Sequence, residues 1–261
     1  MFDFHTHSGL SFDTDAGPRE MLAAAEAVGL KELCFTDHYD YNTDPDGHHD
    51  LFSLTDYVAA YSSLSSPTVA VRRGVEFGLT EWNAAELASL CAAYPFDYVI
   101  GSVHMVEGVD PYEARYWTGL SEKEAFEKYL RQVLTCVRAH DGYDALGHIN
   151  YVCKSPNSPT HAPLRYADYA DLCDEIMRTL VEKGKGMEIN TSGFDRVGAF
   201  LPDRDFLLRF KELGGEIVTV GSDAHNAACV GQYTDRAVSL AMEIFGYVCT
   251  FEGRKPVFHT K

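Results

Sequence analysis

Apolar residues follow two alternating spacings along this chain of 261 residues. Short runs of apolar and β-branched residues predict strands, whereas stretches with an apolar residue every three or four positions predict helices. The predicted strands cover residues 2–5, 33–36, 69–77, 98–103, 145–149, 187–190 and 216–220. The predicted helices cover residues 18–28, 54–64, 83–93, 121–140, 166–183, 203–213 and 235–245.

Strict alternation of strands and helices indicates parallel strands joined by crossover helices. The pattern alone allows either an open doubly wound sheet or a closed barrel. No low-complexity linker or repeat divides the chain, so we expect residues 1–261 to form a single domain. Three long irregular segments, 40–53, 107–119 and 154–165, follow predicted strands, which is where α/β folds place their functional loops.

Potential metal ligands lie at the ends of six of the seven predicted strands. Parallel strands bring their C-terminal ends to one face, so we expect these side chains to converge. In the triplet His5-Thr6-His7 both imidazoles point to one side of the strand, because side chains alternate with a period of two. The candidates are His5, His7, His38, Glu76, His104, His148, Asp223 and His225.

The donor types and their number predict a centre with more than one ion. Imidazole nitrogen together with carboxylate oxygen suits Zn²⁺, Mn²⁺ and Fe²⁺, whereas purely oxygen ligands suit Ca²⁺ or Mg²⁺. A structural zinc ion takes about four ligands, so this set is too large for a single ion. We expect two to three divalent transition-metal ions, with Glu76 and Asp223 as candidate bridging ligands.

Other histidines and acids have simpler interpretations. His48 and His49 belong to a polar segment and are expected to be solvated, and His259 is assigned to the C-terminal tail. Asp3 and Asp37 lie beside candidate ligands, but we expect them to have structural or supporting roles.

Charge restricts the partners of the chain. It has 22 Lys and Arg against 39 Asp and Glu, a formal net charge of -17, and no cluster of basic residues. Stable binding to nucleic acid or to an anionic membrane is therefore not expected. A small anionic substrate would need a cation other than Lys or Arg, and bound metal ions would supply it.

The seven cysteines are scattered, and none forms a CxxC pair. This pattern predicts reduced thiols and a cytoplasmic protein. There is no apolar run of about 18 residues that would span a membrane. The first residues also lack the basic and apolar parts of a secretory signal.

The ordered motifs HTH, TDH, GVE, GSVH, GH and SDAH, at 5–7, 36–38, 74–76, 101–104, 147–148 and 222–225, form one series. The series resembles the polymerase and histidinol phosphatase (PHP) superfamily from residue 2 to about 231. Residues 96–101 and 188–193 are similar to the histidinol-phosphatase branch. The resemblance implies a distorted (β/α)7 TIM-like barrel with a trinuclear site, and so favours the barrel over the open sheet.

The resemblance also implies how the ligands divide among three ions, with Glu76 shared between two of them. Asp13 joins the candidates here, at a position where relatives often have histidine. The three sets are His5, His7, Glu76 and Asp223; Glu76, His104 and His148; and Asp13, His38 and His225.

The implied activity is hydrolysis of a small phosphate monoester, with L-histidinol phosphate as the expected substrate and L-histidinol and phosphate as products. A hydroxide bridging two ions would attack phosphorus in line. Asp15 is the candidate general acid, although a turn or helix cap would explain it equally well. Lys154 and Arg196 are the candidate phosphate-binding residues. Arg165 is a weaker candidate and is expected at the surface.

Three aromatic residues of the irregular segment 107–119 have two interpretations. Tyr112, Tyr116 and Trp117 could line an imidazole-binding wall, or they could pack the loop against the protein. The geometry of the loop decides between these alternatives.

Three other functions compete with this interpretation. The first is a phosphoesterase acting on nucleotides or short oligonucleotides, which the absence of a basic inserted subdomain disfavours. The second is an amidohydrolase, which would need a bridging lysine where Glu76 stands. The third is a non-catalytic metal-binding or polymerase-partner domain, which the intact ligand set disfavours.

Overall fold

The computed structural model describes residues 1–43 and 49–260. His48, which was expected to be solvated, lies outside the described residues. The strands are β1 Phe2–Thr6, β2 Glu32–Phe35, β3 His38–Tyr41, β4 His49–Asp50, β5 Ala70–Gly78, β6 Tyr98–Ser102, β7 Ala145–Leu146, β8 Gly186–Asn190, β9 Val218–Gly221, β10 Tyr247–Glu252 and β11 Lys255–Thr260. The α-helices are α1 Pro18–Ala27, α2 Leu54–Tyr61, α3 Ala84–Ala93, α4 Glu122–Ala139, α5 Ala170–Glu182, α6 Phe194–Val197, α7 Arg204–Glu212 and α8 Thr234–Ile244.

Seven parallel strands form the wall of a barrel in the order β1-β2-β5-β6-β7-β8-β9. The two edge strands meet just beyond the end of β9, where Asp223 N donates to His5 O at 2.8 Å and His7 N donates to Ala224 O at 2.9 Å. The barrel is therefore nearly closed, and the expected single-domain, TIM-like α/β barrel is confirmed.

The second predicted strand is interrupted where its ligand motif begins. It stops at Phe35, and the chain resumes as β3 at His38. Phe35 pairs with Arg73 and His38 pairs with Glu76, so the register along β5 is the same before and after the break. The pairing with β5 places His38 directly beside Glu76.

A register irregularity in β1 also shapes the site. The pairing of β1 with β2 shifts between Asp3 and Thr6. Phe4 packs edge-on against Tyr98 in the lower interior, while the next residue, His5, reaches the upper interior. Two consecutive residues thus face inward, as a bulged strand allows.

The barrel interior has an apolar layer below and a polar layer above. The lower layer is a separate cluster of buried residues, Phe4, Cys34, Tyr98, Ile100, Ala145 and Phe251. The upper layer contains the fully buried side chains of His5 and Glu76. The polar layer opens at the C-terminal ends of the strands.

The C-terminal hairpin of β10 and β11 was missed by the sequence analysis, which treated the residues after 245 as a tail. Phe251 on β10 is 2% exposed and stacks on Tyr98 with ring centroids 4.8 Å apart. At the turn, Arg254 N donates to Asp97 O at 2.9 Å, and the Arg254 guanidinium pairs with Asp144. The hairpin therefore closes the barrel at the end opposite the polar layer.

The helices cover the outside of the barrel and bury their apolar faces. On α4, Phe126, Leu130, Val133 and Val137 are buried at helical spacing. A capping box begins this helix, with Glu124 N donating to Ser121 Oγ.

All seven cysteines are free thiols. Within residues 1–43 and 49–260, no helix combines the length and the apolar character needed to cross a membrane.

Candidate metal centre

Glu76 is the centre of a cluster of imidazole groups at the open end of the barrel. Its side chain, from the buried strand β5, is completely enclosed. The carboxylate is approached at 3.0–3.4 Å by one ring nitrogen from each of His5, His7, His38, His104 and His148. Histidines from four separate segments of the chain therefore meet at a single carboxylate.

Two further carboxylates extend the cluster. Asp223 Oδ1 lies 3.3 Å from His7 Nε2 and 3.6 Å from His5 Nε2. Asp13 Oδ2 lies 2.8 Å from His225 Nε2 and 3.6 Å from His38 Nε2. All nine predicted ligands are thus in one continuous group, with Asp13 and His225 at its more exposed edge.

Four of the six histidines have an Nδ1 atom that contacts a neighbouring polar group. The partners are Glu188 Oε1 for His5 at 2.6 Å, Ser11 Oγ for His7 at 3.1 Å, Asp40 Oδ2 for His104 at 3.2 Å and the Asp223 carbonyl for His225 at 2.8 Å. A ring held at Nδ1 presents Nε2 to the cluster, as ligating histidines do.

The residues of the cluster fit bound divalent ions. His5 Nε2, His7 Nε2 and Glu76 Oε2 are buried, and none forms a hydrogen bond of normal geometry to the described residues. Four triads offer donor atoms within 4.8 Å of one another: His5-His7-Asp223, His5-Glu76-His148, His7-His38-His225 and His38-Asp40-His104. Enclosed nitrogen and oxygen donors that point at one another are what a transition-metal ion satisfies.

Local charges set the protonation of these groups. Burial alone would raise the pKa of Glu76, but His5, His38 and His104 hold that pKa well below its usual value. For His7, burial and the adjacent His225 and His38 lower the pKa well below its usual value. Burial alone would lower the pKa values of His5 and His104, but neighbouring carboxylates, including Glu76, raise them well above their usual value. Metal binding, which needs neutral imidazoles, would therefore release protons from these rings.

The cluster forms the floor of an open cavity of about 600 Å³. Basic groups lie on one part of its wall: Lys154, after β7, and Arg196 on α6. Acidic and aromatic residues, including Asp40, Asp110 and Tyr112, line another part. A cavity of this size accommodates a small molecule.

Lys154 is built into the site by direct contacts. Its Nζ donates to Asp223 Oδ2 at 2.6 Å and to Ser192 Oγ at 2.8 Å. Burial favours a lower pKa for Lys154, but the Asp223 carboxylate outweighs burial and raises the pKa above its usual value. Lys154 is therefore a cation beside the cluster, whereas Arg196 reaches the same cavity from an exposed position.

Asp15 is not among the residues that line this cavity. It is exposed and borders a neighbouring groove together with Asp13, Glu20 and His225. The structure therefore places Asp15 next to the edge of the cluster rather than over its floor, and its role as general acid remains a prediction.

Other sequence candidates are resolved by their contacts. Arg165 pairs with Asp168 on the surface, away from the cluster. Tyr112 lines the cavity and stacks on Tyr151 with ring centroids 5.1 Å apart. Tyr116 and Trp117 are buried in the core instead. They pack the loop against the protein, whereas a contact of Tyr112 with imidazole stays a prediction.

Asp3 and Asp37 have the structural positions expected for them. Asp3 accepts hydrogen bonds from Ser222 N at 2.8 Å and Gly231 N at 2.8 Å, and so ties β1 to the segment after β9. Asp37 accepts from Ser8 N at 2.6 Å.

Glu188 and Asp40 are site residues that the sequence analysis missed. Glu188 could have been predicted as a site residue, because it is an acidic residue within the predicted strand 187–190. Asp40 gave no comparable signal, since it appeared to begin an irregular segment. Its placement beside His104 depends on the short strand β3.

In a comparison with family models, residues 3–192 match the PHP domain. The chain belongs to the PHP family. The predicted resemblance is thereby confirmed over most of the chain, although the matched region ends before Asp223 and His225.

Relatives of this PHP protein match along almost its whole length. The "Probable histidinol-phosphatase" of Clostridium acetobutylicum is 32% identical over 262 residues, which cover 100% of this chain and 97% of the relative. The histidinol-phosphatase of Lactococcus lactis subsp. lactis is 31% identical over 97% of this chain and 95% of the relative.

A solved structure has the same fold. The crystal structure of histidinol phosphate phosphatase from Lactococcus lactis subsp. lactis, complexed with Zn, L-histidinol and phosphate, matches with a TM-score of 0.85 and 28% identity. The match covers 98% of both chains. Together with the donor cluster of this PHP protein, it supports the assignment of a divalent-metal site.

Proposed function

We propose that this protein is a metal-dependent phosphatase that hydrolyses L-histidinol phosphate to L-histidinol and inorganic phosphate. The convergence of nine nitrogen and oxygen donors around Glu76, at the floor of a cavity with basic groups on its wall, carries the proposal. The full-length similarity to histidinol-phosphatases supports the choice of substrate.

The ligands divide among two to three divalent ions, Zn²⁺, Fe²⁺ or Mn²⁺. Glu76 is shared, because its two oxygens face different histidines: Oε2 faces His5 and His7, and Oε1 faces His104 and His148. The proposed sets are His5, His7, Glu76 and Asp223; Glu76, His104 and His148; and Asp13, His38 and His225.

When bound, such ions neutralise the charge of a phosphate ester and make a water molecule nucleophilic at neutral pH. The chain itself supplies the binding groups around them. Lys154 and Arg196 attract the phosphate dianion, and Ser192 holds the Lys154 ammonium by accepting its hydrogen bond at 2.8 Å. Positioned cations of this kind stabilise the negative charge of phosphoryl transfer.

The leaving alkoxide of an alkyl phosphate needs a proton. We propose Asp15 for this role, since it follows β1 at the rim and shares a groove with the proposed ligands Asp13 and His225. Protonation of the substrate by Asp15 requires its carboxyl group to turn from that groove toward the cavity.

The remaining proposals concern partners and location. Residues 1–261 act as one phosphoesterase unit on a small phosphorylated substrate, without a stable nucleic-acid or membrane partner, as the net charge of -17 supports. Seven free thiols support a cytoplasmic location.

The decisive experiment is a phosphate-release assay on the purified protein. We expect turnover of L-histidinol phosphate in preference to nucleoside monophosphates and short oligonucleotides, and loss of turnover after dialysis against a chelator. Elemental analysis should find two to three transition-metal ions per chain. Full metal loading without turnover of any phosphate ester would contradict the proposal, and preference for nucleotides would replace its substrate.

A further inference from the structure

Glu188 is a buried acid that lies behind the proposed metal centre rather than in it. Strand β8 carries it into the barrel interior, where the residue is 1% exposed. Its Oε1 lies 2.6 Å from His5 Nδ1, while its Oε2 accepts from His148 N at 2.9 Å and from Asn190 Nδ2 at 3.2 Å. One carboxylate thus contacts two segments that supply proposed ligands.

The neighbouring strand β9 leaves room for this contact by ending in Gly221. A Cβ atom on Gly221 would lie 2.5 Å from Glu188 Oε1 and 2.2 Å from the Cβ of His5. A larger residue at position 221 would therefore push the carboxylate and the imidazole apart.

A negative charge at this depth is unfavourable unless a positive partner compensates it. A neutral glutamine side chain has a single acceptor oxygen, so it could replace the contact with His5 Nδ1 or the one with His148 N, but not both. The charge has a use if His5 binds a cation, because a carboxylate at Nδ1 fixes the ring tautomer and makes Nε2 a stronger donor. His5 Nε2 points to Glu76 and Asp223 on the opposite side of the ring.

We infer that Glu188 is a positioning residue that acts through His5 and sets the affinity of the ion held by His5, His7, Glu76 and Asp223. The inference rests on the proposed function for the existence of that ion. It assigns Glu188 no contact with substrate or with the ion. Its effect is to hold the His5 ring with Nε2 free of a proton.

The test is a zinc titration of the metal-free protein against a competing chelating dye. We expect Glu188→Gln to weaken the affinity for one Zn²⁺ ion by about ten- to hundredfold, the usual effect of removing such a partner. The affinities of the other ions should change by less than about threefold, since the only imidazole ring that the Glu188 carboxylate contacts among the described residues is that of His5. Glu32→Gln is the matched control, because Glu32 is a partly buried acid at the opposite end of the barrel, where it pairs with Arg72.

A merely structural role predicts a different pattern. If Glu188 only stabilises the fold, Glu188→Gln should lower the unfolding temperature of the metal-free protein and weaken all ions together. The positioning role predicts that the loss of affinity is confined to one ion and that the ¹⁵N spectrum of one histidine ring is altered in the zinc-bound protein. If Glu188→Gln fails to fold, Glu188→Asp provides the test, because it keeps the carboxylate but moves it away from His5. This variant should weaken the affinity for one Zn²⁺ ion only.

A double-mutant cycle with His5→Gln completes the test. If Glu188 acts through His5, Glu188→Gln should have almost no further effect on zinc affinity in the His5→Gln protein. Equal zinc affinities of wild type and Glu188→Gln, or full additivity in the cycle, would overturn the inference. Failure of the wild-type protein to bind zinc would instead remove the proposed function, so the two failures are distinguishable.

Discussion

A carboxylate as enclosed as that of Glu76 keeps its charge only among compensating groups. Five imidazoles supply that environment at 3.0–3.4 Å. The same geometry makes Glu76 the residue whose loss should affect more than one ion. Its role can therefore be tested by counting ions.

We expect Glu76→Gln to reduce the number of bound ions per chain and to lower kcat by at least about 10²-fold, as loss of electrostatic stabilisation at a transition state does. The measurement is elemental analysis together with steady-state kinetics at saturating zinc. Glu81→Gln is the control, since Glu81 lies on the surface, where it accepts a hydrogen bond from Gln132. A wild-type ion count in Glu76→Gln would show that Glu76 does not bridge.

Asp15 gives a second prediction at the residue scale. If Asp15 protonates the leaving group, Asp15→Asn should lower kcat for L-histidinol phosphate by about 10²-fold. p-Nitrophenyl phosphate has a leaving group that needs no proton, so its hydrolysis should change little. Glu20→Gln, in the same groove, is the matched control. Equal losses with both substrates would exclude Asp15 as the acid.

Sequence reasoning at this scale identified the ligand types but not the groups behind them. His5 and His7 could be predicted from their spacing, because alternation fixes which side of a strand they share. Asp40 could not, since its contact with His104 at 3.2 Å depends on the short strand β3. The sequence pattern assigned that residue to an irregular segment, and its neighbour His104 is 64 positions away in the chain.

At the scale of elements, the hairpin of β10 and β11 has the clearest structural role. Phe251→Ala removes the ring that stacks on Tyr98, and we expect a loss of about 3–5 kcal/mol in the free energy of unfolding. Chemical denaturation with the metal-loaded protein measures this loss. Phe258→Ala, on the exposed side of the same hairpin at 47% exposure, should cost much less. Similar losses for both would contradict the interior role of Phe251.

The hairpin was predictable in part. Residues 247–252 have the apolar, β-branched composition of a strand, and Gly253 with Arg254 forms a two-residue turn in which both φ angles are positive, 53° and 64°. Gly253 indicates a hairpin turn, but the pattern of alternating strands and helices ends with the helix predicted at 235–245 and predicts no strand after it. The burial of Phe251 in the barrel could not be predicted, since it depends on contacts with β6.

At the scale of the whole molecule, the proposed ligands span the seam of the barrel. His5 and His7 belong to β1 or follow it directly, whereas Asp223 and His225 follow β9 on the other edge. The alternation of strands and helices could not decide between an open sheet and a barrel, because both arrangements use parallel strands. The contacts that close the seam are between residues about 220 positions apart, as with Asp223 N and His5 O at 2.8 Å.

Metal removal should therefore destabilise the whole fold as well as abolish activity. A metal site contributes about 2.7 kcal/mol to the free energy of unfolding when the free metal concentration is 100 times the dissociation constant. We expect a lower unfolding temperature after chelation, restored by Zn²⁺, and faster amide exchange in β1 and β9 than in β6. Calorimetry and hydrogen exchange measure both. An unfolding temperature indifferent to chelation would show that no ion bridges the seam.

The hairpin and the donor cluster occupy opposite ends of the barrel, and this arrangement has a consequence for engineering. In many enzymes, heat resistance and turnover compete because the same residues govern both. Here a library restricted to the turn around Arg254 and the ring of Phe251 would vary tolerance to heat while every ligand side chain kept its neighbours.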